Sequence, residues 1–291
     1  KSTIVEVDYV GSGGRRLDLG AARNTAVVPG PGDPTARMRF PYMKPTYFAK
    51  SIGRSNYNAL QASYRRRFSA GLSAVVNYTW SKSIDIACSG FFGTEGCQVQ
   101  NEYGLNSSRS VSTFNVPHNL VASVTYELPI GKNKPVSTHN KVADYIIGGW
   151  QVNALVQMRN NLPYTITIPG DLANVGNPNT YMRPNVVGDP SISNPNVTRW
   201  FNTAAFALPA SYTYGNAGRN ILRPDWLRRM DASMFRSFPI TERMRFELRA
   251  EAYGITNTTI FNTPVSNLAA FNFGQVTGSS GERSMQIGAK F

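Results

Sequence analysis

The stretch GLSAVVNYTWSKS, residues 71–83, decides the fold of this chain. One set of alternate positions is apolar and consists of Leu72, Ala74, Val76, Tyr78 and Trp80. The other set is mostly polar and consists of Ser73, Val75, Asn77, Thr79 and Ser81. Because successive side chains of a β-strand point to opposite faces, a period of two residues is typical of a strand. The stretch therefore predicts a strand with one apolar face and one mostly polar face.

The same two-residue period recurs along the chain. The clear segments are 120–128, 150–158, 244–252 and 285–291, and the weaker ones are 3–10, 56–68 and 229–238. We therefore predict about eight strands. Strands of soluble domains usually have about 5–6 residues, whereas a tilted strand needs about 9–11 residues to cross a membrane. The length of the alternating segments therefore favours strands that cross a membrane over strands of a soluble domain.

The connections between these segments support the same conclusion. The shorter ones are 69–71, 129–148 and 239–243, and the long ones, rich in Pro, Gly and Asn, are 86–112, 163–227 and 258–282. Outer-membrane barrels have short periplasmic turns, longer extracellular loops and aromatic girdles. If Phe291 ends the last strand on the periplasmic side, every long connection lies outside, and residues 129–148 fit least well. We predict an all-β portion of a transmembrane antiparallel β-barrel, in the cell outer membrane, with loops that meet ligands.

Composition and charge argue against two other classes of protein. No uninterrupted apolar run approaches the roughly 18 residues of a membrane-spanning helix, which excludes a helical membrane protein. The net charge of +13 suggests a protein that binds nucleic acid. Such proteins, however, gather Lys and Arg on one face. Here Arg15-Arg16, Arg65-Arg66-Arg67 and Arg228-Arg229 lie at the ends of apolar stretches. They favour outer-membrane lipid and lipopolysaccharide as partners, and no nucleic acid.

The sequence contains no recognisable catalytic or metal-binding set. Its histidines, His118 beside Pro117 and His139 in a polar turn, lack Ser, Cys or Asp partners in a known pattern. We therefore expect no enzymatic activity, no metal and no cofactor. Cys88 and Cys97 share a Gly-rich loop. A local disulfide there suits an exported protein, with two free thiols as the alternative.

The strand at residues 244–252 carries a candidate polar site. Arg245, Glu247, Arg249 and Glu251 occupy alternate positions and form a column of charges. A basic side chain facing lipid at the middle of the membrane costs about 2–4 kcal/mol, so we expect the column to face the lumen. It could hold a plug domain or guide a polar solute. The simpler interpretation is a structural charge ladder.

The final strand carries a candidate assembly signal. Met285, Ile287, Ala289 and Phe291 alternate and end the strand on an aromatic residue. This pattern resembles the signal by which the barrel-assembly machinery recognises its client proteins. Phe291 could also be an aromatic residue of the membrane girdle, and both interpretations can hold.

Several stretches together resemble the Oar-like TonB-dependent receptors that are abundant in Acidobacteria and related soil bacteria. The stretches are NYNALQASYRRRF (56–68), YTWSKSID (78–85), GNAGRN (215–220), FPITER (238–243) and RAEAYGITN (249–257). At 254–257 the chain reads GITN, where relatives usually have a second aromatic residue and Leu-Phe-Asn. The resemblance implies a barrel of about 22 strands with an N-terminal plug, a carboxypeptidase-regulatory-like domain and a segment that contacts TonB.

Three hypotheses for function follow. The first is that residues 1–291 are the C-terminal barrel segment of such a receptor, without its plug and N-terminal regulatory-like domain. The intact protein would import a ligand that the sequence does not identify, with TonB as a partner through the missing N-terminal part. The second is a self-contained eight-stranded barrel with a structural or adhesive role. The third is a glycan-binding β-sandwich.

Overall fold

The computed structural model of the chain describes residues 3–22, 24–44, 48–86, 99–131, 134–137, 140–176 and 182–291. One antiparallel sheet dominates these residues. Its eight main strands are β1 Thr3–Ala22, β2 Phe48–Ser69, β3 Leu72–Asp85, β5 His118–Glu127, β6 Gln151–Arg159, β9 Leu227–Pro239, β10 Arg245–Tyr253 and β13 Ser284–Lys290. Each of them pairs with the next along the chain, and the short strand β4 Ser110–Val111 extends the sheet beside the end of β3.

The remaining elements are short and lie in the connections. Two small ladders join β7 Asn185–Val186 to β8 Phe206–Ala207 and β11 Ile260–Phe261 to β12 Ser279–Ser280. The helices are α1 Lys141–Ile147 and the 3-10 turns Pro34–Arg37, Leu105–Ser108 and Thr203–Ala205. Among the described residues, no helix has the length and apolar character needed to span a membrane.

The eight predicted strands are confirmed, but two of them are longer than predicted. The strand expected at 3–10 continues to Ala22, and the one expected at 56–68 begins at Phe48. These extensions pair with each other past the apolar segments. Alternation disappears there because both faces of a strand that leaves the membrane meet water, whereas the backbone ladder continues. The alternation of apolar residues therefore predicts the part of a strand that lies in the membrane, but it does not predict where the strand ends.

The topology rules out the β-sandwich hypothesis. A sandwich packs two sheets face to face. Among the described residues, the sheets other than the main one have two strands each. The main sheet is open, with β1 at one edge and β13 at the other.

The hydrogen-bond register extends the separation of apolar and polar side chains, seen first in β3, to the whole sheet. Partners in an antiparallel register point to the same face. Leu60 lies opposite both Tyr9 and Trp80, and Trp80 also lies opposite His118. One face thereby collects apolar side chains from all eight strands, including Val5, Leu60, Tyr78, Val124, Val156, Met234, Leu248 and Ile287. This face is termed the lipid-facing side.

The lipid-facing side is exposed as well as apolar. Val5 is 66% exposed and Ile287 is 82% exposed. An exposed apolar face that spans eight strands is far larger than the patches of soluble monomers, and it is the surface that a barrel presents to lipid. The opposite side, termed the lumenal side, carries mostly polar side chains, among them Asp8, Gln61, Asn77, Ser123, Asn153, Ser233 and Glu251.

The turn between β2 and β3 is the tightest connection. Ala70 and Gly71 both have positive φ, 52° and 80°. Positive φ at both central residues is the geometry of the two-residue hairpin turn that matches the twist of the strands. A Cβ at Gly71 would also lie 3.1 Å from the carbonyl oxygen of Glu127. The predicted short connection at 69–71 is confirmed.

The connection between β5 and β6, which fits the short-turn pattern least well, contains α1. Asn140 caps the helix by accepting hydrogen bonds from the backbone N–H groups of Val142 and Ala143. The helix lies against Arg236, which is opposite Leu248 and therefore on the lipid-facing side. Arg236 Nη1 donates to the carbonyl oxygen of Ile146 at 2.6 Å.

This helix explains why the connection is long. The guanidinium carbon of Arg236 also lies 4.2 Å from the ring centroid of Phe238, and only 6% of the residue is exposed. Trp150 Nε1 donates to the same carbonyl of Ile146 at 3.3 Å. A charge on the lipid-facing side is costly unless protein groups surround it. At the periplasmic end of the sheet, α1 supplies those groups.

Substitution of Gly148 tests this packing. A Cβ at Gly148 would lie 2.6 Å from Gly131 Cα and 2.7 Å from the carbonyl oxygen of Asp144. We expect Gly148→Ala to destabilise the barrel by about 1–3 kcal/mol, as overpacking usually does. The readout is the temperature at which the full-length protein loses its fast-migrating folded band in detergent gels. Gly288→Ala is the control, since its Cβ meets nothing within 4 Å. Equal stability of the two variants would contradict this description of α1.

Candidate functional site

The four long connections fold together at one end of the sheet. They join β1 to β2, β3 to β5, β6 to β9 and β10 to β13, and their described residues are termed the cap. The two larger clusters of buried apolar residues lie in the cap and not in the sheet. One cluster contains Ala26, Ile168, Ala173, Val175 and Met182, and the other contains Tyr164, Ile166, Phe201, Ala205 and Phe206. The cap therefore has cores of its own.

Hydrogen bonds join the first connection to the third. Asn174, with φ of 52°, donates from Nδ2 to the carbonyl oxygens of Gly30 and Gly32 at 2.8 and 2.7 Å. Arg37 Nη2 donates to the carbonyl of Asn174 at 2.9 Å, and the N–H of Ala26 donates to the carbonyl of Val175 at 2.8 Å. The Pro- and Gly-rich loop at 29–34 is thus held in place by residues about 140 positions away along the chain.

An ion pair fastens the cap to the top of β3. Arg219 Nη2 donates to the carboxylate and to the carbonyl oxygen of Asp85, and both side chains are almost fully buried. Arg219 Nε also donates to the carbonyl of Ser108 at 3.3 Å. The two residues belong to the separate sequence stretches 78–85 and 215–220. Those stretches therefore form one structural unit in three dimensions.

A second arginine is buried beside this pair. Arg183 is 1% exposed, and its Nη2 donates to the carbonyl of Ser107 at 3.0 Å. Its Nε and Nη1 have no hydrogen-bond partner among the described residues. Burial, with a smaller contribution from Arg219, lowers the pKa of the Arg183 guanidinium to about 10. The cap thus carries two buried cations that influence each other, and Arg219 is the one that pairs with the Asp85 carboxylate.

Gly215 allows the chain to approach Arg183 closely. A Cβ at Gly215 would lie 1.9 Å from the carbonyl oxygen of Arg183. Gln100 bridges the two segments, since its Nε2 donates to the carbonyl of Gly215 at 2.8 Å and its Oε1 accepts from the N–H of Arg183 at 3.0 Å. Because no other residue lacks a Cβ, glycine is required where these loops cross.

An open cleft of about 700 Å³ lies at the edge of the cap and is termed the aromatic cleft. Its lining includes Trp200 and Phe261, whose ring centroids are 5.2 Å apart, together with prolines, Arg223 and Asp225. Tyr164 also lines the cleft, and its hydroxyl has no hydrogen-bond partner among the described residues. Burial raises the pKa of this hydroxyl. An aromatic surface with a few polar groups is typical of a site for a small ligand.

No pattern in the sequence predicts the aromatic cleft. Its residues come from two different connections and show no regular spacing. The available signal was the density of Trp, Phe and Pro in residues 190–206, which is unusual for a solvated loop. That density indicates packing, but it does not indicate which aromatic residues meet.

The structure places the predicted charge column on the lumenal side. Arg249 Nη2 lies 2.9 Å from Glu247 Oε1, and Arg249 Nη1 lies 3.4 Å from Glu251 Oε1. Glu251 also accepts hydrogen bonds from Tyr253 and Gln286. Arg245 is an exposed residue at the periplasmic end of the same column. The pairing along one strand suits a structural ladder, and a role toward a plug or a solute stays a prediction.

The remaining candidate residues stay separate from the cap. Met285, Ile287 and Phe291 are exposed near the end of the chain, with the first two on the lipid-facing side of β13, and their part in assembly stays a prediction. His118 Nδ1 is hydrogen-bonded to the Tyr78 hydroxyl at 2.8 Å and stacks on Trp226. Cys88, Cys97 and His139 lie outside the described residues. Within the described ranges, no three His, Cys, Asp or Glu side chains are grouped closely enough to hold a metal ion.

The Asp85–Arg219 pair makes a testable prediction. Asp85→Ala leaves the buried Arg219 guanidinium without its carboxylate, and loss of one partner of a buried pair costs about 3–5 kcal/mol. We expect the cap of the full-length protein to become sensitive to trypsin while the barrel stays folded. Asp18→Ala is the control, because Asp18 is exposed and bonds Ser51 Oγ at 3.1 Å. Equal trypsin resistance of the two variants would show that the pair does not hold the cap.

Comparisons with known proteins agree with this architecture. The chain is similar to the outer membrane transporter YddB from Escherichia coli, with a TM-score of 0.51 and 8% sequence identity. The similarity covers 99% of this chain and 30% of the transporter chain, so this chain spans about a third of its length. A likeness at this identity concerns the fold alone. A search of curated protein sequences finds no significant match.

The family comparison covers nearly the whole sequence. Residues 1–286 match the family described as the outer membrane beta barrel domain. The antiparallel pairing, the apolar lipid-facing side and the long connections at one end are features of outer-membrane barrels. The chain therefore belongs to the outer membrane beta barrel domain family, and it resides in the cell outer membrane.

Proposed function

We propose that the chain forms the C-terminal barrel wall and cap of a TonB-dependent, Oar-like receptor that imports an extracellular ligand. The observation that carries this proposal is the open sheet. A wall of eight strands with two free edges, similar in fold to a third of an outer-membrane transporter, suits a segment of a larger barrel. Its role is transport and not catalysis.

The free edges argue against a complete small barrel. A backbone N–H or C=O group without a partner in the hydrocarbon region costs several kcal/mol, so both edges need neighbouring strands. If β1 and β13 paired with each other, the seven residues of β13 could match only part of the twenty residues of β1. Additional strands of a larger barrel satisfy both edges without this mismatch.

The lumenal side supports a barrel that contains a plug. Gln151 Nε2 donates to Asn153 Oδ1 at 3.2 Å, and Asn153 Nδ2 donates to Ser233 Oγ at 3.1 Å. With the paired charges of Arg249, these groups form a polar surface that a plug domain can contact. In an eight-stranded barrel the interior is filled by its own side chains, which leaves no room for a plug.

The aromatic cleft is the proposed ligand contact within this segment. Trp200 and Phe261 offer a large apolar surface at low conformational cost, and Arg223 and Asp225 line the same cleft with charged groups. The ligand classes that suit such a surface are a siderophore, a glycan and a peptide. A cap with its own core holds the cleft in one shape, which reduces the entropy cost of binding.

Binding of TonB tests the proposed mechanism of transport. We expect the full-length natural protein to bind the purified periplasmic domain of TonB in isothermal titration calorimetry. Removal of the N-terminal segment that precedes the plug should abolish binding, and this variant is the control. Absence of binding by the full-length protein, or a natural gene that encodes no plug, would favour the self-contained barrel.

Substitutions in the aromatic cleft test the ligand site. The full-length protein would be titrated with ferric siderophores, oligosaccharides and short peptides while its tryptophan fluorescence is recorded. For any probe that binds, we expect Trp200→Ala and Phe261→Ala to weaken affinity at least about tenfold, or about 1.4 kcal/mol. Phe271→Ala is the matched control, because Phe271 is 99% exposed and lies outside the cleft. Unchanged affinity in both cleft variants would place the ligand site elsewhere.

A further inference from the structure

A buried arginine of the cap has hydrogen-bond donors that the protein leaves unused. Arg183 is 1% exposed, and its Nη2 donates to the carbonyl oxygen of Ser107 at 3.0 Å. Its Nε and Nη1 are shielded from solvent and have no partner in the described part of the chain. These two nitrogens carry most of the N–H donors of a guanidinium group. Buried donors of native proteins are almost always bonded, so a further acceptor is expected beside them.

Another unused donor lies one residue from the acceptor of Arg183. Ser108 follows Ser107 at the end of the 3-10 turn Leu105–Ser108, and it is also 1% exposed. The Ser108 hydroxyl is buried and has no partner within the described ranges. Ser108 belongs to the connection between β3 and β5, whereas Arg183 belongs to the connection between β6 and β9. Unused donors of two connections therefore lie close together.

The positive charge at this place exceeds the negative charge. Burial, and to a smaller extent repulsion by Arg219, lowers the pKa of Arg183 to about 10, so its guanidinium group stays charged at neutral pH. The Asp85 carboxylate pairs with Arg219. Among the described residues, Arg183 makes no ion pair. Because a buried charge without a counter-charge is costly, an anion beside Arg183 would stabilise the cap.

Two other carboxylates of the cap are engaged elsewhere. Asp171 Oδ2 accepts from the N–H of Gly176 at 2.6 Å, and Glu102 Oε1 accepts from the Thr25 hydroxyl. Burial and the charges of these two carboxylates raise the pKa of the Tyr214 hydroxyl to about 12. The causes that act on Arg183 are burial and Arg219. Asp171 and Glu102 therefore do not serve as its counter-charge.

We propose that the cap binds a small monatomic anion of the halide class, chloride in natural media, between the Arg183 guanidinium and the Ser108 hydroxyl. A halide ion has no preferred direction, so it can accept hydrogen bonds that converge from two connections. It also supplies the negative charge that Arg183 lacks. A water molecule suits the site less well, because it brings no charge. The closed surroundings of these donors favour a monatomic ion over a large organic anion.

The bound anion would join two connections that are distant along the chain. Arg183 and Ser107 are 76 residues apart, and the anion would add contacts beside their direct hydrogen bond. Loss of the anion should therefore loosen the cap and leave the barrel wall folded, since paired strands hold the wall together. This inference is independent of TonB and of the transported ligand.

The direct test is diffraction from crystals of the full-length natural protein grown with bromide in place of chloride. Bromide is the probe because its anomalous scattering distinguishes it from water. We expect an anomalous peak within hydrogen-bonding distance of the Arg183 guanidinium and of Ser108 Oγ. Density at this position without an anomalous signal would identify a water molecule and overturn the proposal. This measurement requires no substitution.

A second test measures the stability of the cap in solution. The full-length protein in detergent is treated with proteinase K at rising temperature, in sodium chloride or in sodium gluconate of equal ionic strength. A ligand that binds the folded cap stabilises it. We expect chloride to raise the temperature at which the cap is cleaved by at least about 2 °C. Equal cleavage temperatures in the two salts would overturn the proposal.

Two variants connect the chloride effect to the site. Arg183→Met removes the charge and the donors, and it should abolish the chloride dependence and the bromide peak. Ser108→Ala removes one donor, and it should raise the chloride concentration needed for half of the effect at least about threefold. Arg199→Met is the matched control, because Arg199 is exposed in the cap. An unchanged chloride dependence of Arg183→Met would overturn the assignment of the site.

Discussion

The structure depends on one constraint, which is that a backbone inside a bilayer has no water to bond. Each N–H and C=O group there must find its partner in the protein, and paired strands provide those partners. The continuous register from β1 to β13 meets this requirement for every interior strand. The same register fixes which side chains meet lipid, because partners across a ladder share a face. It also leaves the outer edges of β1 and β13 as the two places where the wall must continue.

Outside the bilayer the problem changes, because water can bond the backbone and the chain need not form strands. In the cap, the long connections rich in Pro and Gly are stabilised by buried apolar clusters around Ile166, Ile168 and Phe201. Hydrogen bonds between the connections stabilise them further. The Asp85–Arg219 pair connects the cap directly to a strand of the wall, so the position of the cap is set by the sheet.

Three surfaces of one sheet thus serve three environments. The lumenal side is polar and carries the Arg249 ion pairs. The lipid-facing side is apolar over the height of the membrane, and where a charge occurs on it at the periplasmic end, α1 covers Arg236. At the extracellular end the same side becomes basic around Arg15 and Arg54. The change from apolar to basic along a single strand matches the change from acyl chains to head groups.

The sequence by itself determined the strands, their two faces and their orientation, because a bilayer imposes a period of two residues that is visible in any short window. It also placed Arg245, Glu247, Arg249 and Glu251 on one side, since their spacing alone decides this. Strand ends beyond the membrane, the helix α1 and the cap were not predictable in this way. Asp85 and Arg219 are 134 residues apart, and Trp200 meets Phe261 from another connection. Contacts of that kind follow no local period, because they form only when the paired strands bring the ends of the loops together. Only the tertiary structure therefore decided where the cap and the aromatic cleft lie.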